Sequence, residues 1–342
     1  MNIACLARTD PPEVLIEVTK PKNGRRVQVI SSILHAMRMR HVARVPFWRP
    51  GLLPSVMRKR LARTGCRVVW HSPLPELLFI TDDPARGLER KRILVSYDTS
   101  LLHEGKVDDG TLALPILFNP ALLDMPSYAL ADELAIRRDR PIKIIFAGNC
   151  DPKAYDSPEI SRRYGLLSRH KLHETVTGTF ADALYAPETF EQLMSAAAVG
   201  DLRRRFVWID TRRFSIPMSS WLQVMSMSEY FFCAPGVAYP YCHNFNESAA
   251  CGCVPILQYR EWLHPHLEHG RNCLNFTSLP DLAGLVPDIL GGGGDASWPE
   301  RSAAIVDYHR HHLSLDVCMR RIREFVADPT RQTMTWIMAG KD

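Results

Sequence analysis

No stretch of about 18 or more apolar residues occurs in this chain of 342 residues, so no membrane-spanning helix is expected. Paired CxxC spacing is also missing. The nine cysteines are an odd, scattered set, which argues against a disulfide framework and suits a reducing compartment. The opening MNIACLARTDPPE has neither a basic start nor an apolar core, so no secretory leader is expected and the cytoplasm is the expected location. Gly291-Gly292-Gly293-Gly294 is not followed by Gly-Lys-Ser/Thr and reads as a hinge or surface loop, not a phosphate cradle. Basic–aromatic single-strand platforms and zinc-finger spacings are absent, which argues against nucleic acid as a partner. His264, His266 and His269 lack the further ligands that a zinc site needs, so no metal and no resident cofactor are expected.

What is present is the composition of a globular protein, 46% hydrophobic and 23% charged, in a chain long enough for two domains. Charge is uneven. Residues 1–140 hold 22 Lys+Arg against 15 Asp+Glu, whereas the remainder holds 20 against 22. A basic first half offers a surface to an acidic glycan or, peripherally, to an anionic membrane; a plain solvated surface is the other reading.

The most informative stretch is residues 228–259, SEYFFCAPGVAYPYCHNFNESAACGCVPILQY. A β-prone run ends at Pro235-Gly236, a loop carries His243, Asn244, Asn246 and Glu247, small residues lead to Gly252, and residues 254–257 read as a second buried strand. Strand, loop, short helix and strand make a parallel crossover unit with Gly252 as helix stop. Ligands of open parallel sheets lie outside the carboxyl ends of the strands, which is where this loop falls. Glu247 at a helix start either holds ribose hydroxyls there or merely complements the helix dipole.

Glu247-Ser-Ala-Ala-Cys-Gly-Cys-Val-Pro-Ile resembles the Glu-x-x-x-x-Gly-x-Pro-Val/Ile signature in the C-terminal domain of GT-B glycosyltransferases. With Cys233-Ala234-Pro235-Gly236 upstream, the stretch is similar to the exostosin-like branch. The resemblance implies an α/β fold of two Rossmann-like domains facing across a cleft, with Glu247 on the donor ribose. Many retaining relatives carry a second glutamate eight positions earlier; here that position is Tyr239, which points to an inverting enzyme. No Asp-x-Asp triplet, the metal-holding motif of the rival glycosyltransferase architecture, occurs in the chain, in keeping with metal independence.

Residues 141–149, PIKIIFAGN, read as a buried strand running into a glycine turn similar to the Phe-x-Gly-Asn opening of the exostosin-like donor domain. By that resemblance Gly148 and Asn149 border the phosphates. Arg162, Arg163 and Arg169, spaced along a basic helix expected over residues 158–173, reach the diphosphate; a solvated helix face is the alternative. The domains are placed at 1–135, binding acceptor, and 136–342, binding donor, with a last helix near 313–328 returning to the first domain.

In the first half, apolar runs fall at 3–6 and 14–18, short strands are expected at 66–70, 77–81 and 92–97, and residues 27–34 read as strand passing into helix. An inverting transfer needs a general base near the acceptor hydroxyl. Asp98, His71 and Asp82 follow three of these strands and are the candidates, with turn capping as the alternative for each. Trp48 is either a sugar-stacking ring or a packing anchor.

The expected activity is therefore a glycosyltransferase that moves a sugar from a nucleotide-diphosphate sugar, its co-substrate, to a glycan, lipid-linked or small-molecule acceptor in surface polysaccharide or glycoconjugate synthesis. A retaining transferase, a nucleotide-sugar epimerase and a non-catalytic sugar-binding subunit are the alternatives.

Overall fold

A computed structural model describes residues 13–20, 24–45, 53, 55–72, 75–123, 130–293 and 295–340. Trp48 and Gly294 lie outside them. Two compact units form, and the chain passes between them more than once: Met1–Thr99, Val107–Leu114 and Leu315–Asp342 make the first, and Ser100–Lys106 and Pro115–Ser314 the second. These units do not follow a single division at 135/136: residues 100–106 and 115–135 group with the second unit, and Leu315 onward groups with the first. The helix expected near 313–328 is Leu315–Ala327 and does belong to the first unit.

The first unit is built on β1 (Val14–Glu17), β2 (His41–Arg44), β3 (Arg67–Val69), β4 (Leu78–Thr81), β5 (Arg92–Ser96) and β6 (Thr111–Ala113). The second unit carries β7 (Ile142–Gly148), β8 (Leu184–Tyr185), β9 (Phe206–Asp210), β10 (Ser228–Phe232), β11 (Val254–Leu257) and β12 (Leu274–Asn275); β13 (Thr333–Ile337) returns to the first. The first sheet runs β3-β2-β1-β4-β5-β13-β6, the second β12-β11-β10-β7-β9-β8, and every pairing is parallel. Parallel sheets are covered on both faces, which is why their central strands are apolar without alternation. Every residue of β1 and β7 is buried.

Two expectations need correcting. Residues 27–34 are helical throughout, inside Gly24–Ala36, because Val27, Ile30, Ile33 and Leu34 recur at helical spacing and bury one face. The basic helix over 158–173 is two helices, Pro158–Tyr164 and Arg169–Thr179. Gly165, at φ 67°, ends the first in the left-handed conformation that favours glycine, and Ser168 caps the second by accepting from the Lys171 amide at 3.1 Å.

In the second sheet the chain builds outward from β7 in both directions: β9 lies on one side and β10 on the other. The crevice at such a topological switch point is where open α/β sheets take ligands.

Candidate functional site in the second unit

A pocket of about 300 Å³ opens beyond the carboxyl end of β7, and all its lining residues belong to the second unit. Ala147, Gly148 and Asn149 form its floor. A side chain could not replace the hydrogen of Gly148: a Cβ would stand 2.9 Å from Phe146 Cζ and 3.2 Å from Arg169 Nη1. Glycine therefore lets the guanidinium of Arg169 come down onto the strand end. Arg169 is 4% exposed; its Nε donates to Pro235 O at 3.0 Å and its Nη1 to Asn149 O at 3.2 Å, and it lies over the Tyr155 ring at 4.0 Å. A cation clamped this way by the ends of β7 and β10 is oriented before any ligand arrives.

The opposite wall is the helix His243–Ala250, which Asn244 ties to the floor by donating Nδ2–H to Ala147 O at 2.8 Å. Glu247 borders the pocket but is only 1% exposed. Its Oε1 accepts the Asn119 amide at 2.8 Å, and its Oε2 accepts Trp221 Nε1–H at 2.6 Å. His243, one helical turn earlier, brings Nδ1 to 3.1 Å from Oε1. Two of the roughly four lone-pair directions of the carboxylate are thus taken by hydrogen bonds, and His243 stands beside Oε1 as an ion-pair partner without completing a hydrogen bond. Desolvation works against charge on His243, but the Glu247 carboxylate and Cys242 outweigh it and lift the imidazole to about 9.

The predicted donor-site residues divide clearly. Gly148, Asn149, Arg169, His243, Asn244 and Glu247 converge on the pocket. Asn246 does not: it is fully buried, and its Nδ2 donates to Ile116 O at 3.1 Å and Leu313 O at 3.3 Å, holding two loops rather than a ligand. Pro235 and Gly236 are also outside the lining. Pro235 acts through its carbonyl on Arg169, and a Cβ on Gly236 would meet Tyr241 O at 2.8 Å and Tyr239 O at 2.9 Å. Arg162 and Arg163 sit exposed on the helix Pro158–Tyr164; Arg162 Nε donates to Pro158 O and Arg163 lies over the Tyr164 ring. The break at Gly165 separates them from Arg169.

Trp221, Asn119, Tyr155, Thr211, Ser215 and Cys242 line the pocket without having been anticipated. Trp221 had a local signal, an aromatic at the start of the helix that feeds β10. Asn119 had none, since it meets Glu247 across 128 positions of sequence. Among the described residues no group of three or more His, Cys, Asp or Glu side chains converges as a metal site would require. His266 instead bonds Leu102 O through Nε2 at 2.9 Å, and His269 Nδ1 accepts the Asn275 amide at 2.9 Å.

The three base candidates lie at strand ends of the first unit and differ in environment. Asp82 is 3% exposed, and four donors engage its oxygens: Thr19 N–H (2.6 Å) and Oγ1–H (2.9 Å), Lys20 N–H (3.0 Å) and Tyr97 OH (3.2 Å). That carboxylate fixes the turn after β1, and its oxygens are taken up in doing so. Asp98 and His71 are exposed beyond β5 and β3. Sequence inspection passed over Glu17, the buried end of β1, which pairs with Arg44 and, at 3.4 Å, with Arg86.

Two parallel α/β units, each Rossmann-like, with a pocket at the switch point of the second, define the GT-B fold. No family model matches the chain, and no curated protein matches it by sequence. Solved structures do match. Anabaena Alr3699/HepE, crystallised with UDP and glucose, aligns over 93% of this chain and 100% of its own at 11% identity, with a TM-score of 0.51. A glycosyltransferase from Rickettsia africae ESF-5 aligns over 93% and 98% at 9% identity, also with a TM-score of 0.51. At such identities the likeness establishes the fold. Among the described residues no helix is long and apolar enough to cross a membrane.

Proposed function

We propose that this chain is a glycosyltransferase whose second unit binds a nucleoside-diphosphate sugar and whose first unit takes the acceptor. The observation that carries this reading is the pocket at the end of β7, where a buried, pre-oriented Arg169 and a charged His243 stand beside a glycine floor. A diphosphate leaving group needs fixed positive charge and N–H donors, and this pocket supplies both without calling on a metal. The HepE complex with UDP and glucose makes UDP the first nucleotide to try. Glu247 keeps acceptor capacity for a ribose hydroxyl. Tyr239, where retaining relatives carry a second glutamate, supports an inverting transfer, with the exposed Asp98 as base ahead of His71. The acceptor class is a glycan or lipid-linked saccharide, met by the basic first half of the sequence, in polysaccharide or glycoconjugate synthesis in the cytoplasm or against an anionic membrane face. The exostosin-like branch is the subgroup whose motifs residues 146–149 and 233–256 resemble.

Calorimetry of UDP, GDP and ADP against the wild-type chain tests the donor site. Binding of at least one, weakened tenfold or more by Arg169→Ala, is expected; the reading is lost if none binds. Turnover of Asp98→Asn, with nucleotide affinity unchanged, tests the base, and NMR of the product anomer tests inversion.

A further inference from the structure

The pocket contains an arrangement that a ribose-gripping glutamate alone does not explain. Glu247 is the better buried member of its pair: its side chain is 1% exposed, against 45% for His243. Its two oxygens are held by the Asn119 amide and the Trp221 indole, so the carboxylate cannot swing toward a ligand without leaving two donors unpaired. His243 is the group that faces outward.

His243 is also in an unfavourable place for a cation. It is the first residue of its helix, where the macrodipole is positive and where Cys242 provides no side-chain cap. Arg169, from a different helix, adds a second positive charge facing the same cavity. Burial, the helix end and Arg169 all favour a neutral imidazole; the opposing negative groups are Glu247 on the same helix and Cys242 beside it. Asn119 and Trp221, which reach the pocket from other elements, have no ionisable group, and Tyr155 meets it with a phenol ring.

We propose that His243 is the imidazolium that contacts the diphosphate of the bound nucleotide, and that Glu247 is a positioning residue that keeps His243 charged and aimed into the pocket. Held this way, imidazolium, guanidinium and uncapped helix amides form one anion cradle, with the single carboxylate behind it instead of in it. This inference rests on the nucleotide-binding reading above and deepens it.

The test is UDP affinity by calorimetry between about pH 7 and 10, a window in which a terminal phosphate of pKa about 6 stays ionised. In the wild type, affinity holds until His243 deprotonates near pH 9 and then falls. In Glu247→Gln, where burial, the helix end and Arg169 are opposed only by Cys242, the fall moves below the window, so the variant binds roughly tenfold or more weakly at about pH 7 to 8 and converges on the wild type near pH 10. His243→Gln binds more weakly through the lower part of the window and shows only the fall that the uracil imide causes near its top; Cys242→Ser keeps the wild-type step. Parallel loss at every pH in Glu247→Gln, or a wild-type curve without a step, overturns the proposal while leaving nucleotide binding intact. Histidine ¹³C NMR of the ligand-free chain, assigned through His243→Gln, reads the same titration without nucleotide. A His243 resonance titrating near 6.5 in the wild type overturns the proposal whatever UDP does.

Discussion

Asn244 and Asn246 stand two residues apart on one helix and reach in different directions. Asn244 bonds Ala147 O at the pocket floor, and Asn246 bonds Ile116 O and Leu313 O away from it. Asn246→Ala should therefore cost about 1–3 kcal/mol of stability by leaving buried carbonyls unpaired, with UDP affinity unchanged within about twofold. Thermal melts beside calorimetry check this, and a large affinity loss at unchanged stability would return Asn246 to the site.

Arg169 separates charge from geometry. Arg169→Lys keeps the charge but loses the planar fork that serves Pro235 O, Asn149 O and the Tyr155 ring together. UDP affinity should fall about tenfold or more, whereas Arg162→Ala and Arg163→Ala, on the preceding exposed helix, should leave it within about twofold. Binding isotherms of the three variants decide.

Trp221→Phe removes the indole N–H from Glu247 Oε2 and retains most of the ring. A buried carboxylate short of one donor should cost about 1–3 kcal/mol, read as a melting temperature lower by several degrees. An unchanged melt would show that the carboxylate finds another partner.

His309 predicts the acid limb of stability. Burial drives its imidazole down to about 4, against the raising effect of Asp132, and it packs edge-on to Phe118. A depressed histidine is neutral when folded and titrates near 6.5 when unfolded, so its contribution is intact above about 6.5. It is lost as pH falls toward 4, by about 3 kcal/mol at most. His309→Leu should flatten this limb; melting temperatures at pH 7, 5.5 and 4.5 provide the measurement.

The parts of this molecule legible in sequence were those encoded locally. Val254–Leu257 is the strand expected at residues 254–257, β7 ends at Gly148 where the glycine turn was expected, and Gly252, at φ 71°, stops the helix that carries Glu247. The face assignment within that helix was not legible, because Asn244 through Ala250 are all buried and leave no polar stripe to mark the pocket side. The engagement of Glu247 by Asn119 and Trp221 was equally hidden, since it depends on contacts that only the tertiary fold creates. In the first unit β2 did not stand out, because His41 and Arg44 frame only two apolar residues, nor did β6, a three-residue stretch closely followed by Pro115, and no signal near residues 333–337 names the strands that flank them.

Those last strand residues have a consequence for synthesis. β13 sits between β5 and β6, with Trp336 fully buried and its indole donating to Leu114 O. While the ribosome is still working, the first sheet has a missing interior plank, and its two flanks cannot join until residues 333–337 have emerged. The nested second unit is complete by Ser314, so it is in a position to fold before the unit that began first. Chains truncated after residue 314 and probed by limited proteolysis should show a protected core within 115–314 and a cleavable amino-terminal third.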